Sequence, residues 1–146
     1  MNNYYRRGGV IIGKGCMICS SPLTMEPSLI EIGDNVVIST KVTFVTHDNS
    51  VKYVHPDKTD VFGKIIVGNN CFIGENSTLL YGVRIADNVI VAAGSVVTKS
   101  VKESNVIVGG NPTRVISTWD RFKEKTKDNA IRRADLYKSL DKLIER

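Results

Sequence analysis

From Val67 to Val101 an aliphatic residue returns at every sixth position: Val67, Ile73, Leu79, Ile85, Val91 and Val97. The slot after it is small in every repeat but one, with Gly68, Gly74, Ala86, Ala92 and Thr98 against the exception Leu80. The slot four places after it holds Cys71, Ser77, Val83, Val89, Ser95 and Val101. A helix would repeat its apolar face at three and four residues and a plain strand would alternate, but here Asn, Glu and Lys interrupt the even positions. A six-residue period suits a solenoid instead. Three short strands separated by turns make one coil of roughly eighteen residues, and equivalent side chains stack coil upon coil. The aliphatic ladder is then expected to face inward, and the small residue after it to sit near a tight corner where a reduced Cβ eases the turn.

Taken in order, the repeat begins after a polar lead as Ile12-Gly13-Lys14-Gly15-Cys16, followed by Ile18 and Pro22. The gap from Ile18 to Ile32 is fourteen residues, two more than two repeats, which predicts a bulge or excursion among Leu23, Thr24, Met25, Glu26, Pro27 and Ser28. The period then resumes through Val36, Ile38, Val42 and Phe44, with Gly33-Asp34-Asn35 supplying turn chemistry at a corner. Between Thr46 and Lys64 the period vanishes into a polar segment, which predicts a loop thrown out of the solenoid. A long loop in a compact domain is usually functional or disordered, and anchoring of Thr46-His47-Asp48 at a strand end favours function. After Lys99, Val106 to Ile116 is expected to make one irregular final coil through Gly109-Gly110-Asn111-Pro112. From Thr118 a helical pattern is expected, with Ile131, Ala134, Tyr137, Leu140 and Ile144 near a period of 3.6 and a separate turn around Trp119 and Phe122. The expected organisation is an all-β parallel helix over residues 1–117, with its excursion at 46–64. A helical tail over 118–146 caps the open end or lies on a neighbouring subunit.

At 146 residues the chain is one domain. No run approaches the roughly eighteen to twenty apolar residues of a membrane span, and Met1-Asn2-Asn3-Tyr4-Tyr5-Arg6-Arg7 lacks the apolar core of a signal peptide, so the expectation is a cytoplasmic protein. Cys16 and Cys71 occupy the fourth-after slot and read as core filler. Cys16 and Cys19 form a C-x-x-C, but without the second ligand pair or βαβ context that a zinc or redox reading requires. The net charge of +5 is moderate, and its late basic residues are interleaved with acidic ones. That mixture argues against a nucleic-acid footprint and leaves room for an anionic small molecule.

Three segments add to the repeat: Thr46-His47 at the head of the excursion, Ala92-Ala93-Gly94-Ser95-Val96-Val97-Thr98-Lys99, and Gly110-Asn111-Pro112-Thr113-Arg114-Val115-Ile116. On these the chain, over residues 10 to 117, resembles the hexapeptide-repeat acyltransferases, and among them the sugar, galactoside, maltose and antibiotic O-acetyltransferases. The resemblance implies a left-handed β-helix, where the general rule for parallel crossovers would give the right hand. It also implies a homotrimer with sites between subunits, and acetyl transfer from acetyl-coenzyme A to an acceptor hydroxyl or amine; because the thioester arrives activated and the cysteines look inward, direct transfer without a covalent acyl-enzyme is expected. His47 matches the family's general base, and an imidazole with an ordinary pKa of about 6.5 is suited to take a hydroxyl proton. Glu26, Asp48 and Asp60 are the carboxylates near enough in sequence to hold its other ring nitrogen or to meet the acceptor, and the sequence does not choose among them. His55 lacks comparable support. For coenzyme A the matched positions are Ala93, Thr98, Lys99 and Arg114. A small Ala93 lets the pantetheine arm lie along the wall, and Lys99 and Arg114 can face phosphates. Phe72 departs from the tryptophan that relatives often carry.

Two other classes compete. A zinc enzyme acting on carbon dioxide would need about three histidine ligands, and the chain holds only His47 and His55, so no metal is expected. A non-catalytic β-helix scaffold would have no use for His47, Lys99 and Arg114. The polar excursion suits a saccharide-like acceptor, and an amino sugar would make the same contacts.

Overall fold

The aliphatic ladder is built as a three-sided stack of parallel strands, in a computed structural model that describes residues 1–138. A short helix, α1 (Asn2–Arg7), leads into β1 (Ile11–Ile12) and β2 (Met17–Ile18). The second coil is β3 (Ile30–Ile32), β4 (Val37–Ile38) and β5 (Thr43–Val45), from which β6 (His47–Asp48) and β7 (Val61–Phe62) project. The third is β8 (Ile65–Val67), β9 (Phe72–Ile73) and β10 (Thr78–Leu80), and the fourth β11 (Arg84–Ile85), β12 (Val89–Val91) and β13 (Val96–Val97). The chain ends in β14 (Val106–Gly109), β15 (Arg114–Thr118), α2 (Trp119–Thr126) and a 3-10 turn at Arg133–Lys138.

Strands from successive coils share a sheet, because each coil visits the three walls in turn. The first wall runs β1-β3-β8-β11, the second β2-β4-β9-β12-β14-β15 and the third β5-β10-β13. Register follows the ladder: Ile12, Ile32, Val67 and Ile85 stack on the first wall, Ile18, Ile38, Ile73, Val91 and Val108 on the second, and Phe44, Leu79 and Val97 on the third. None of the six aliphatics from Val67 to Val97 is more than 1% exposed. The fourth-after slot is equally inward. There Ser77 and Ser95 are buried, and both hydroxyls donate to the Ala92 carbonyl, so neither polar group is stranded in the core.

The small slot has a different cause from the expected turn strain. Gly33, Gly68 and Gly74 do not have positive φ. A Cβ on Gly33 would stand 2.9 Å from the Gly68 carbonyl carbon, one on Gly68 2.8 Å from that of Ala86, and one on Gly74 2.5 Å from the Ala93 nitrogen. The neighbouring coil passes too close for a side chain. The left-handed backbone falls two residues later, at Asn35, Asn70 and Asn88 with φ of 55, 54 and 58°, where asparagine is tolerated best after glycine. These asparagines stack: Asn35 Nδ2 donates to Asn70 Oδ1 at 3.2 Å and Asn70 Nδ2 to Asn88 Oδ1 at 3.1 Å. Beside them Asp34, Asn69 and Asp87 accept from the backbone N–H groups of Lys14, Asp34 and Asn69. Corner amides that no strand can pair are satisfied in this way.

The C-terminal end departs from the sequence expectation. The final coil is not completed, since β15 reverses and pairs antiparallel with β14. The tail's α-helix lies at Trp119–Thr126, capped by Thr118 Oγ1, while Ile131 lies in irregular chain and Ala134 in the 3-10 turn. Leu140 and Ile144 lie outside the described residues. The correction has a physical reason. Along the outward face of the second wall, Met17, Val37, Phe72, Ile90 and Ile107 are in register and all apolar. Trp119 and Phe122, three residues apart on α2, line shallow grooves with Ile90 and Ile107, so α2 covers a side wall rather than an open end. At the other end Arg6 donates to the Ile12 and Gly13 carbonyls, covering part of the first coil's free edge. Among the described residues no helix is long and apolar enough to cross a membrane.

Candidate active site

The site begins where β5 leaves the third wall. Phe44 points inward, so Thr46, two residues on, is also turned inward and is 1% exposed. The expected loop is a hairpin at its base: His47 pairs with Phe62 and Asp48 with Val61, antiparallel, and the Thr46 carbonyl accepts from Gly63 N–H at 3.0 Å. Asp48 Oδ1 accepts from Ser50 N–H at 2.8 Å and starts the 3-10 turn Ser50–Tyr53. That backbone hydrogen bond holds the Asp48 carboxyl below its ordinary pKa. Asp60 is half-buried just before β7, and His55 is exposed in the hairpin's turn region.

Glu26, in the excursion of the first coil, reaches across to the hairpin. Its Oε2 lies 2.9 Å from His47 Nδ1 and 2.8 Å from Thr46 Oγ1. Thr46 Oγ1 is also 3.1 Å from Thr24 Oγ1, and Thr24 Oγ1 accepts from Glu26 N–H at 3.1 Å. The Thr46 hydroxyl is the main cause holding the Glu26 carboxyl below its ordinary pKa, opposed by desolvation and helped by His47. The His47 ring stacks at a tilt beside Phe62, with centroids 5.8 Å apart. His47 and Glu26 side chains are 32% and 24% exposed, open enough for a substrate to reach. Nδ1 is engaged, and among the described residues Nε2 has no protein partner. Such an imidazole can act as a base through Nε2.

The structure therefore separates the three carboxylates left open by the sequence. Glu26 contacts the imidazole, Asp48 is used in its own turn, and Asp60 makes no side-chain hydrogen bond or ion pair among the described residues. Lys99 and Arg114 come together in an open cleft of about 310 Å³, which Ser100, Lys102, Glu103 and Thr113 also line. Ala93 and Thr98 are exposed and do not line it. Val45 pairs with Leu80, and Leu79 with Val97, so His47 and Lys99 emerge at the same end of the third wall, two coils apart. At about 4.8 Å per strand, that places their backbones roughly 10 Å apart along the stack. Phe72 is on the outward face of the second wall.

Sequence reasoning missed the hydrogen bonds that tie Thr24 and Thr46 to Glu26 and the place of Lys102 in the cleft. Alternation with Phe44 was a usable signal that Thr46 is a buried hydroxyl needing a partner. Thr24 lies where the period is broken and offers no such signal. Cys16 and Cys71 are turned into the coils, where their thiols hydrogen-bond the Gly33 and Ala86 carbonyls, and burial pushes the Cys71 thiol above its ordinary pKa. Among the described residues no three His, Cys, Asp or Glu side chains cluster as metal ligands do.

A family model described as the hexapeptide repeat of succinyl-transferase matches residues 64–99. Protein CapG of Staphylococcus aureus is 45% identical over 131 residues, covering 86% of this chain and 75% of that protein. Galactoside O-acetyltransferase of Escherichia coli is 38% identical over 115 residues, covering 77% of this chain and 56% of that protein. Among solved structures, a hexapeptide-repeat acetyltransferase from Vibrio cholerae complexed with acetyl-coenzyme A superposes with a TM-score of 0.60 at 27% identity, covering 75% of this chain and 60% of that one. The chain thus spans three quarters of the first relative and three fifths or less of the other two.

Proposed function

The chain belongs to the hexapeptide-repeat acyltransferases, and from that premise we propose that it moves an acetyl group from acetyl-coenzyme A directly to a hydroxyl of a saccharide-like acceptor, with His47 as general base. The observation that carries this reading is the His47 Nδ1 to Glu26 Oε2 contact at 2.9 Å, which leaves Nε2 to act. Nε2 takes the acceptor's hydroxyl proton as its oxygen bonds to the acyl carbon. The carbon–sulfur bond breaks, and the proton passes on to the sulfur. Coenzyme A supplies an already activated thioester, so no enzyme nucleophile is needed, and the buried, weakly acidic Cys71 agrees with direct transfer. Asp48 and Asp60, at the two ends of the hairpin, are on the acceptor side.

Lys99 and Arg114 suit the coenzyme's phosphates, since their shared cleft concentrates cationic donors. Lys102 lines the same cleft and adds a third charge, while Glu103 limits the net excess. Thr98 and Ala93 are given to the pantetheine arm on this reading, Thr98 being next to Lys99 in sequence and Ala93 an exposed small residue at the corner before β13. The arm then runs along the solenoid axis, a direction consistent with the roughly 10 Å offset of His47 from Lys99. The left hand of the coil belongs to this reading, as does a homotrimer. Met17 and Phe72, exposed on the second wall beyond the reach of α2, are apolar surface that a closed cyclic assembly would cover.

The test is His47→Ala. It should leave the fold and coenzyme A binding in place while lowering turnover by roughly a hundredfold or more. Unchanged turnover removes His47 from the mechanism.

A further inference from the structure

Glu26 Oε2 is shared by two donors, and the second of them is buried. An ionised carboxylate can only accept hydrogen bonds, a hydroxyl carries one proton, and a backbone N–H can only donate. These constraints fix the proton order of the cluster. Glu26 N–H donates to Thr24 Oγ1 at 3.1 Å. The Thr24 proton goes to Thr46 Oγ1 at 3.1 Å, and the Thr46 proton to Glu26 Oε2 at 2.8 Å. The ring closes on the residue where it began. Only the His47 Nδ1–H, at 2.9 Å from the same oxygen, stands outside it as a further donor. No other direction of the ring is possible without leaving the carboxylate facing a lone pair.

We propose that Thr46 and Thr24 are positioning residues for the transfer reaction: their hydroxyls clamp the Glu26 carboxylate so that His47 is held as the Nδ1–H tautomer with Nε2 bare. Thr46 is suited to this because it is almost wholly buried at the last inward position of β5's wall. Its hydroxyl cannot rotate to water, and the carboxylate is its one anionic partner. Thr24 anchors the other end, tying the clamp to the Glu26 backbone. The fold thereby links two excursions from successive coils at one oxygen atom. In keeping with this, the Thr46 hydroxyl contributes most to keeping the Glu26 carboxyl acidic. This inference rests on the reading of His47 as the base.

The experiment uses the full chain and two variants, Thr46→Val, which removes the hydroxyl at nearly constant shape, and Thr46→Ser, which keeps it. Nitrogen-15 spectra of the imidazoles, with His47 assigned through a His55→Gln background, report the tautomer without any substrate. Carboxyl carbon-13 titration reports Glu26. In the unaltered protein and in Thr46→Ser, His47 should be the Nδ1–H tautomer and Glu26 should titrate below the ordinary glutamate range. In Thr46→Val, Glu26 should titrate at higher pH, because a donor to its ionised form is gone, and His47 should populate both tautomers. Turnover of acetyl-coenzyme A with a panel of methyl glycosides should fall roughly tenfold in Thr46→Val with KM for acetyl-coenzyme A unchanged, and return in Thr46→Ser. A Thr46→Val protein that keeps the single tautomer and the low Glu26 titration overturns the inference while leaving His47 as the base. Full transfer by His47→Ala would instead overturn the underlying reading. If Thr46→Val does not fold, a Thr46→Ser protein with mixed tautomers also sinks the inference.

Discussion

Gly63 carries no functional atom of its own, yet the placement of His47 depends on it. Its N–H donates to the Thr46 carbonyl, and a Cβ on it would stand 2.5 Å from the Gly82 nitrogen and 2.9 Å from the Gly82 Cα in the next coil. Because both neighbours are backbone, Gly63→Ala must lift the hairpin base. The stability cost should be about 1–3 kcal/mol, the usual range for overpacking, and turnover should fall by more than that loss of folded protein explains. Comparing melting temperature with kcat checks it, and a variant with full kcat would show that the base tolerates displacement. Lys99→Ala and Arg114→Ala belong to the same scale. Each charge is exposed in a shared cleft, so the pair together should raise the apparent Kd for acetyl-coenzyme A about tenfold at low salt. Added salt should weaken binding in the unaltered protein more than in the double variant, and equal salt slopes would move the phosphates elsewhere. That His47 heads an excursion, and that Lys99 and Arg114 flank a common cleft, are positions that short local segments allowed to be singled out, while the roles given to them belong to the proposed function. The Glu26 contact was not legible in the sequence, since it joins residues 21 apart across a stretch where the repeat's phase is lost, and phase is what locates a side chain in this fold.

Strands β1 to β13 are two or three residues long, too short to be set by propensity, and their order comes from the ladder and its corners. That is why the strands on either side of the period's breaks could be read directly from the six-residue count. The corners are where the chain's polar chemistry is spent, and Asn70 is the clearest case. It adopts φ of 54°, donates to Asn88 and accepts from Asn35. Asn70→Ala should cost about 2–3 kcal/mol, combining a strained left-handed backbone with two lost hydrogen bonds. Asn70→Gly should recover the backbone share, and chemical denaturation of the three proteins separates the two contributions. An Ala variant as stable as the parent would mean that the ladder is decoration. The elements that escaped the count are β15 and α2. A six-residue period says when a coil continues, but reversal at Gly110 and docking of Trp119 and Phe122 depend on an apolar outer row assembled from five separate strands. No local window contains that row, and the regular spacing of Ile131 and Ala134 has no such surface to answer it.

Each coil of the whole molecule rests only on its neighbours, so stability is expected to spread along one axis as in other solenoids. The exposed Met17 and Phe72 on the second wall lead to the expectation of a trimer in sedimentation at micromolar concentration. Phe72→Glu should shift that population toward monomer, and a parent protein that sediments as a monomer would contradict the proposed assembly. The hairpin that carries His47 has a further consequence. It leaves the stack at Thr46 and returns at Gly63, yet Ile32 still stacks on Val67 and Phe44 on Leu79 as though nothing intervened. The coils above and below therefore do not register how many residues the hairpin contains. Lineages built on this plan can lengthen, shorten or exchange the span between Asn49 and Asp60 without re-phasing a single core position. On the proposed reading, the span that would meet the acceptor is free to diversify under selection while the stacked walls on which the hairpin is anchored are inherited intact.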